Sequence, residues 1–191
     1  MIEIEVPRPP VVLLDANVLA PLWLHDTLLW IAYEGELFAP IWTPTILSET
    51  RRALIDDWHL TAERADRRVA QMAASFPEAI IADADPSSVP GRVHPGDRHV
   101  VAAALSEAAD IICTDNVNHM APPELINLGI EVLPADRFLT RLWESNPDAV
   151  LASVRALIGS KRRPPVAPTD YLARMRKARA TIFAEALAPH L

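Results

Sequence analysis

The chain has 191 residues, 50% of them hydrophobic and 23% charged. That suffices for one core of ordinary size, leaves no room for two large domains, and excludes disorder throughout. The net charge is −7, but residues 160–191 hold seven Lys/Arg against two acids, a net +5 that leaves −12 on the rest. A basic tail on an acidic body predicts two surfaces with different partners.

Cys113 is the sole cysteine, which excludes an internal disulfide and a Cys-rich zinc site and suits a reducing compartment. The opening Met1-Ile2-Glu3-Ile4-Glu5 lacks the basic and apolar regions of a signal peptide. No run reaches the roughly 18 apolar residues of a membrane span. These features predict a soluble, cytoplasmic protein with no membrane partner.

In chain order, Val11-Val12-Leu13-Leu14 after Pro9-Pro10 reads as a buried strand ending at Asp15. Residues 17–35 read as helix, broken near Pro21 and His25-Asp26. Residues 37–42 read as a second short strand or an extended link. Thr43-Pro44 opens a helix, with Thr43 as N-cap and Pro44 at the first position. Its apolar stripe is Ile46, Leu47, Thr50, Leu54 and Ile55, with Glu49 beside it. Thr61 opens another helix with Val69, Met72, Ala73 and Phe76 inward.

Residues 79–82 predict a strand, and 83–96, with three prolines and two glycines, a loop. A helix over about 97–109 then leads to the strand Ile111-Ile112-Cys113-Thr114, ending at Asp115. Residues 122–128 form a short helix capped by Gly129, and Ile130-Glu131-Val132-Leu133 the last strand. Helices over 135–143 and 147–158, a basic Pro-rich linker over 161–168 and one amphipathic helix over 169–187 complete the chain. Strands alternating with helices predict an α/β fold with a mostly parallel sheet covered on both faces.

In such sheets ligands gather at the carboxyl ends of strands. Asp15 and Asp115 sit there; Asp97 opens the helix before the second of these strands, and Glu49 lies about two turns into its own helix. Clustered carboxylates repel and call for a counter-charge, and oxygen donors favour Mg²⁺ or Mn²⁺ over zinc. Each acid also has a plain reading: Asp15 and Asp97 as helix caps, Asp115 as a turn residue, Glu49 as a helix-surface residue.

Four ordered blocks give the pattern more weight. Leu14-Asp15-Ala16-Asn17-Val18-Leu19, Ile46-Leu47-Ser48-Glu49-Thr50-Arg51-Arg52, Pro95-Gly96-Asp97-Arg98-His99-Val100-Val101-Ala102 and Ile111-Ile112-Cys113-Thr114-Asp115-Asn116 resemble the PIN-domain family, and within it the VapC-type toxin ribonucleases of bacterial toxin–antitoxin pairs. Gly129-Ile130-Glu131-Val132-Leu133 with Phe138-Leu139 resembles the family's closing strand and helix. The resemblance implies a three-layer α/β/α domain over 10–143 followed by a C-terminal helical extension over 144–191. It implies a Mg²⁺- or Mn²⁺-dependent endoribonuclease, with an RNA substrate, a cognate antitoxin and a homodimer.

It further implies ligand or water-positioning roles for Asp15, Glu49 and Asp97, an orienting role for Asn17 and a nearby hydroxyl from Thr114. The fourth acid is Asp115, with Asn116 as the alternative register. His119 stands where relatives often carry a further acid, and reads either as a surface histidine or as a ligand or general acid. In the tail, Tyr171, Leu172, Met175, Ile182, Phe183 and Leu187 form the apolar side. Lys161, Arg162, Arg163, Arg174, Arg176, Lys177 and Arg179 are candidates for contact with RNA phosphates, or else a solvated face or a partner surface. Rival readings are a PIN-like DNA nuclease, a non-catalytic binding domain, and a phosphatase with Asp15 as nucleophile; Asn17 stands where the last would want a second Asp.

Overall fold

The computed structural model describes residues 8–89, 92–120 and 123–191. Readings placed on Met1–Glu5, Pro90, Gly91 and Pro122 lie outside these residues.

Strand β1 (Val11–Leu14) is followed by helices α1 (Ala16–Leu19) and α2 (Leu22–Gly35), then β2 (Ala39–Ile41), α3 (Pro44–Asp56) and α4 (Ala62–Ser75). Next come α5 (Arg98–Ser106), β3 (Ile111–Cys113), α6 (Val117–Met120), α7 (Pro123–Asn127) and β4 (Glu131–Leu133). Helices α8 (Ala135–Ser145), α9 (Pro147–Ser160), α10 (Pro168–Lys177) and α11 (Thr181–Leu187) close the chain. The sheet is parallel throughout, in the order β2-β1-β3-β4. Helices cover it, so Val12, Leu13, Leu14, Ile112 and Cys113 are fully buried, as continuous apolar strands require. This is the expected α/β architecture.

The central pair decides where the chemistry gathers. Leu14 lies opposite Cys113, so the carboxyl ends of β1 and β3 are neighbours. The Asp15 amide donates to the Cys113 carbonyl at 3.1 Å, carrying the pairing one residue past the strand.

Local signals hold at several helix ends. The Thr43 hydroxyl accepts from the Ile46 amide, and Pro44 occupies the first turn of α3. Gly129 adopts φ +81°, and the Ile130 amide reaches back to the Leu125 carbonyl at 2.9 Å, the closure an αL cap provides.

Several expectations are corrected. The break near Pro21 is real, but α2 runs unbroken through His25-Asp26, with His25 buried and Asp26 half-buried. No strand forms over 79–82: a 3₁₀ turn at Pro77–Ala79 consumes its start, leaving one parallel bridge between Ile80 and Trp42. The segment 169–187 is two helices, not one. Arg179 takes φ +65° and the Ala180 amide bonds the Met175 carbonyl at 3.0 Å, a Schellman-type closure without glycine. Asp136 on α8 then caps α11, accepting from the Ile182 and Phe183 amides at 3.0 and 2.8 Å. The break rephases the apolar stripe, so Ile182 is exposed while Tyr171, Leu172, Met175, Phe183 and Leu187 are buried as expected.

The helices after β4 share the core of the sheet. Helix α9 packs on α2 and α11 on α8, and Tyr171 and Phe183 belong to the same buried cluster as Leu13. The Tyr171 hydroxyl bonds Thr27 Oγ1 at 2.9 Å, tying α10 to α2.

Candidate active site

Asp15 leaves β1 and its side chain turns back over the end of the sheet. One carboxylate oxygen accepts from the Ala16 amide at 2.7 Å. The other accepts from Asn17 Nδ2 at 2.8 Å and Thr114 Oγ1 at 2.7 Å. Asn17 also donates to Thr114 Oγ1 at 2.9 Å and accepts from the Asp115 amide at 3.0 Å. The Asn116 amide donates to Thr114 Oγ1 at 3.1 Å. Thr114 is fully buried behind Asp15. Asp15, Asn17 and Thr114 thus form one network stitching the ends of β1 and β3, with each of the three side chains holding another in place.

In front of this network lies a cleft of about 500 Å³. Asp15, Glu49 from α3, Asp97 from the start of α5, and Asp115 with Asn116 from the end of β3 all line it. The four acids proposed from sequence therefore meet at one place, although 100 residues of chain separate the first from the last. The topology carries the start of α5 to the same sheet edge, the point that spacing left open.

The electrostatics follow from this gathering. Burial pushes the Asp15 carboxyl up to about 6 against the pull of its Thr114 and Ala16 hydrogen bonds, and the charges of Glu49 and Asp97 push in the same direction. Burial also raises the Asp115 carboxyl, opposed by the Ala135 amide and by the Arg179 charge. Glu49 Oε2 meets His99 Nε2 at 3.1 Å, and this bond raises the imidazole against the effect of its burial. Arg52 stands 3.9 Å from the other Glu49 oxygen. Burial raises the Cys113 thiol well above its usual range, so it is inert.

The basic tail divides. Lys177 and Arg179 line the cleft, brought there by the αL turn that ends α10. Lys161 instead pairs with Asp26 at 2.6 Å and, with Arg174, lies over the Trp23 ring. Arg162, Arg163 and Arg176 are exposed and do not line the cleft. His119 does not line it either; its Nδ1 lies 3.3 Å from Asp97 Oδ2. A second cavity of about 520 Å³, lined by His25, Trp30, Tyr33, Arg68 and Lys161, contains none of the four acids.

Sequence reasoning passed over His99, Arg52 and Trp58. His99 carried one signal, a histidine at the mouth of an otherwise Val/Ala-rich helix. Trp58, 42% exposed on the cleft wall, carried none, because it lies in the turn after α3.

The arrangement is oxygen-rich, with the four acids and the basic Arg52, Lys177 and Arg179 in one lining. Such a donor set suits a hard divalent cation. Asp15, held near 6 by burial and by two neighbouring negative charges, marks a cluster short of positive charge, and the residues present fit such an ion.

A PIN-domain family model matches residues 11–118, and a VapC50 C-terminal domain model matches 135–189. A Mycobacterium tuberculosis protein designated, on provisional grounds, ribonuclease VapC50 is 33% identical over 79 residues, covering 41% of this chain and 47% of that protein. The chain thus matches about half the length of this curated relative. No solved structure matches significantly. No helix among the described residues is long and apolar enough to cross a membrane. With more than half its length matched, across the strand ends and helices that build the cleft, the chain belongs to the PIN-domain family.

Proposed function

We propose that this protein is a Mg²⁺- or Mn²⁺-dependent endoribonuclease, the toxin of a toxin–antitoxin pair. The observation that carries the reading is the meeting of Asp15, Glu49, Asp97 and Asp115 in one cleft that Lys177 and Arg179 also line. The provisional designation of the mycobacterial relative as a ribonuclease supports it.

Asp15, Glu49, Asp97 and Asp115 would hold the cation, which neutralises charge building on a phosphate and lowers the pKa of an attacking water. Asn17 supplies the orienting amide and, with Thr114, fixes the Asp15 carboxylate. Asn116 is the alternative to Asp115 as the last ligand. Glu49, bonded to His99, accepts the proton of the attacking water. Lys177 and Arg179 meet the phosphates on either side of the cut. Trp58 offers a ring face on which an unstacked base can rest, the usual way a protein holds single-stranded RNA. Water attack on phosphorus with loss of the 3′ oxygen leaves a 3′-hydroxyl and a 5′-phosphate. The antitoxin and a second copy of the chain are the protein partners of this reading, and the cytoplasm its compartment.

The test uses purified protein freed of any co-purifying inhibitor, with total cellular RNA and Mg²⁺ or Mn²⁺, beside Asp97→Asn and an EDTA control. Discrete cleavage lost in both controls is expected. Cleavage that survives EDTA, or 2′,3′-cyclic phosphate ends, overturns the mechanism. Cleavage of DNA in place of RNA favours the DNA-nuclease rival.

A further inference from the structure

We propose that His94, Asp97 and His119 form a second cation site, beside the cleft and sharing Asp97 with it, that takes a borderline transition ion of the Zn²⁺ class. One donor atom from each residue lies within 4.8 Å of the other two. Asp97 Oδ2 is 3.4 Å from His94 Nδ1 and 3.3 Å from His119 Nδ1. A tetrahedral ion with bonds of about 2.0–2.1 Å spaces its ligands by roughly 3.4 Å, so these two edges already have the required length.

Backbone contacts hold the two rings side by side. The His94 amide donates to the His119 carbonyl at 3.1 Å, clamping the segment before α5 to α6. The imidazoles stack with centroids 5.0 Å apart and planes 26° from parallel.

The hydrogen bonds point the same way. The Gly96 amide donates to His94 Nδ1 at 3.2 Å. The same nitrogen faces an Asp97 carboxylate oxygen at 3.4 Å. A metal ion between them would bond both and take the place of the long Gly96 contact.

The donor chemistry sets the class of ion. Two imidazoles and one carboxylate suit Zn²⁺, Co²⁺ or Ni²⁺, whereas Mg²⁺ prefers oxygen alone. The histidine side chains are 58% and 54% exposed, so the ion has an entry path and a water can fill its remaining position.

The test titrates the full chain with Co²⁺ in millimolar Mg²⁺, which occupies oxygen-only sites, and follows visible absorption. One equivalent per chain is expected, displaced by Zn²⁺. His94→Ala and His119→Ala each weaken Co²⁺ uptake by at least roughly tenfold, the loss seen when support for a metal site is removed. Asp15→Asn, in the cleft, retains the signal. Both histidines are exposed, and His94→Gln, which keeps a polar side chain, guards against a folding defect; circular dichroism confirms each variant. No visible band, or equal Co²⁺ affinity in wild type, His94→Ala and His119→Ala, overturns the proposal. Because the readout is metal uptake, it stands or falls independently of RNA cleavage.

Discussion

Replacing Asp15 with Asn is expected to change how the stability of the metal-free protein depends on pH. Asp15 has a folded pKa of about 6 against 3.8 for the free group. Between those values the folded state binds more protons than the unfolded state, so stability falls as pH rises from about 4 to about 6. The shift of about two units corresponds to about 3 kcal/mol. His25 works in the opposite sense: burial lowers it from 6.5 to about 4, so its contribution is lost as pH falls through the same window. That contribution is also about 3 kcal/mol. In wild type the two largely cancel.

Asp15→Asn removes one of them and exposes the His25 slope. Urea unfolding in EDTA is then expected to show the variant gaining about 3 kcal/mol relative to wild type between about pH 4 and 6.5. Absolute stability is the poorer readout. An amide cannot accept on both sides as the carboxylate does from Ala16, Asn17 and Thr114, and the misfit costs roughly 1–3 kcal/mol at every pH. Adding Mg²⁺ at neutral pH is expected to stabilise wild type and not the variant, because ligands that bind only the folded state raise its stability. Parallel pH curves for the two proteins refute the claim that burial and neighbouring charge hold Asp15 near 6.

Three further outcomes follow from the same geometry. Thr114→Val removes a buried hydroxyl that donates to Asp15 and accepts from Asn17 and the Asn116 amide, and is expected to lower unfolding free energy by about 1–3 kcal/mol in urea melts. Phe183→Ala, deep in the shared core, is expected to cost about 3–5 kcal/mol by the same assay; a loss below about 1 kcal/mol would mean that α11 is not part of that core. Lys177→Ala and Arg179→Gly are each expected to weaken RNA binding and reduce the dependence of log K on log salt by about one. Glycine at 179 relieves the φ of +65°, so that variant keeps or gains thermal stability while losing affinity, which separates the charge from the backbone turn.

Much of this protein is legible from local sequence. The apolar runs at 11–14 and 111–114 read as buried strands because β-branched and aliphatic residues cluster there without polar alternation. Asp15, Asp97 and Asp115 stand where those strands end or a helix begins, and Thr43 and Gly129 carry their own cap chemistry. The run at 79–82 reads as a strand on composition alone, which does not register the tight turn that Pro77 starts. The tail reads as one helix because an αL turn at Arg179 has no glycine to announce it, and tertiary contacts, including the Asp136 cap on α11, sustain that turn.

Sequence by itself thus determined which groups are available and where along the strands they stand. Tertiary structure decided which of them meet. The pairing of β1 with β3 joins Asp15 to Thr114 across 99 positions, a single side-chain bond joins Glu49 on α3 to His99 on α5 across 50, and the end of α10 with its αL turn brings Lys177 and Arg179 to the cleft the acids line. None of these meetings is encoded by spacing, because each depends on long-range burial of apolar faces whose docking leaves no periodic mark on the chain.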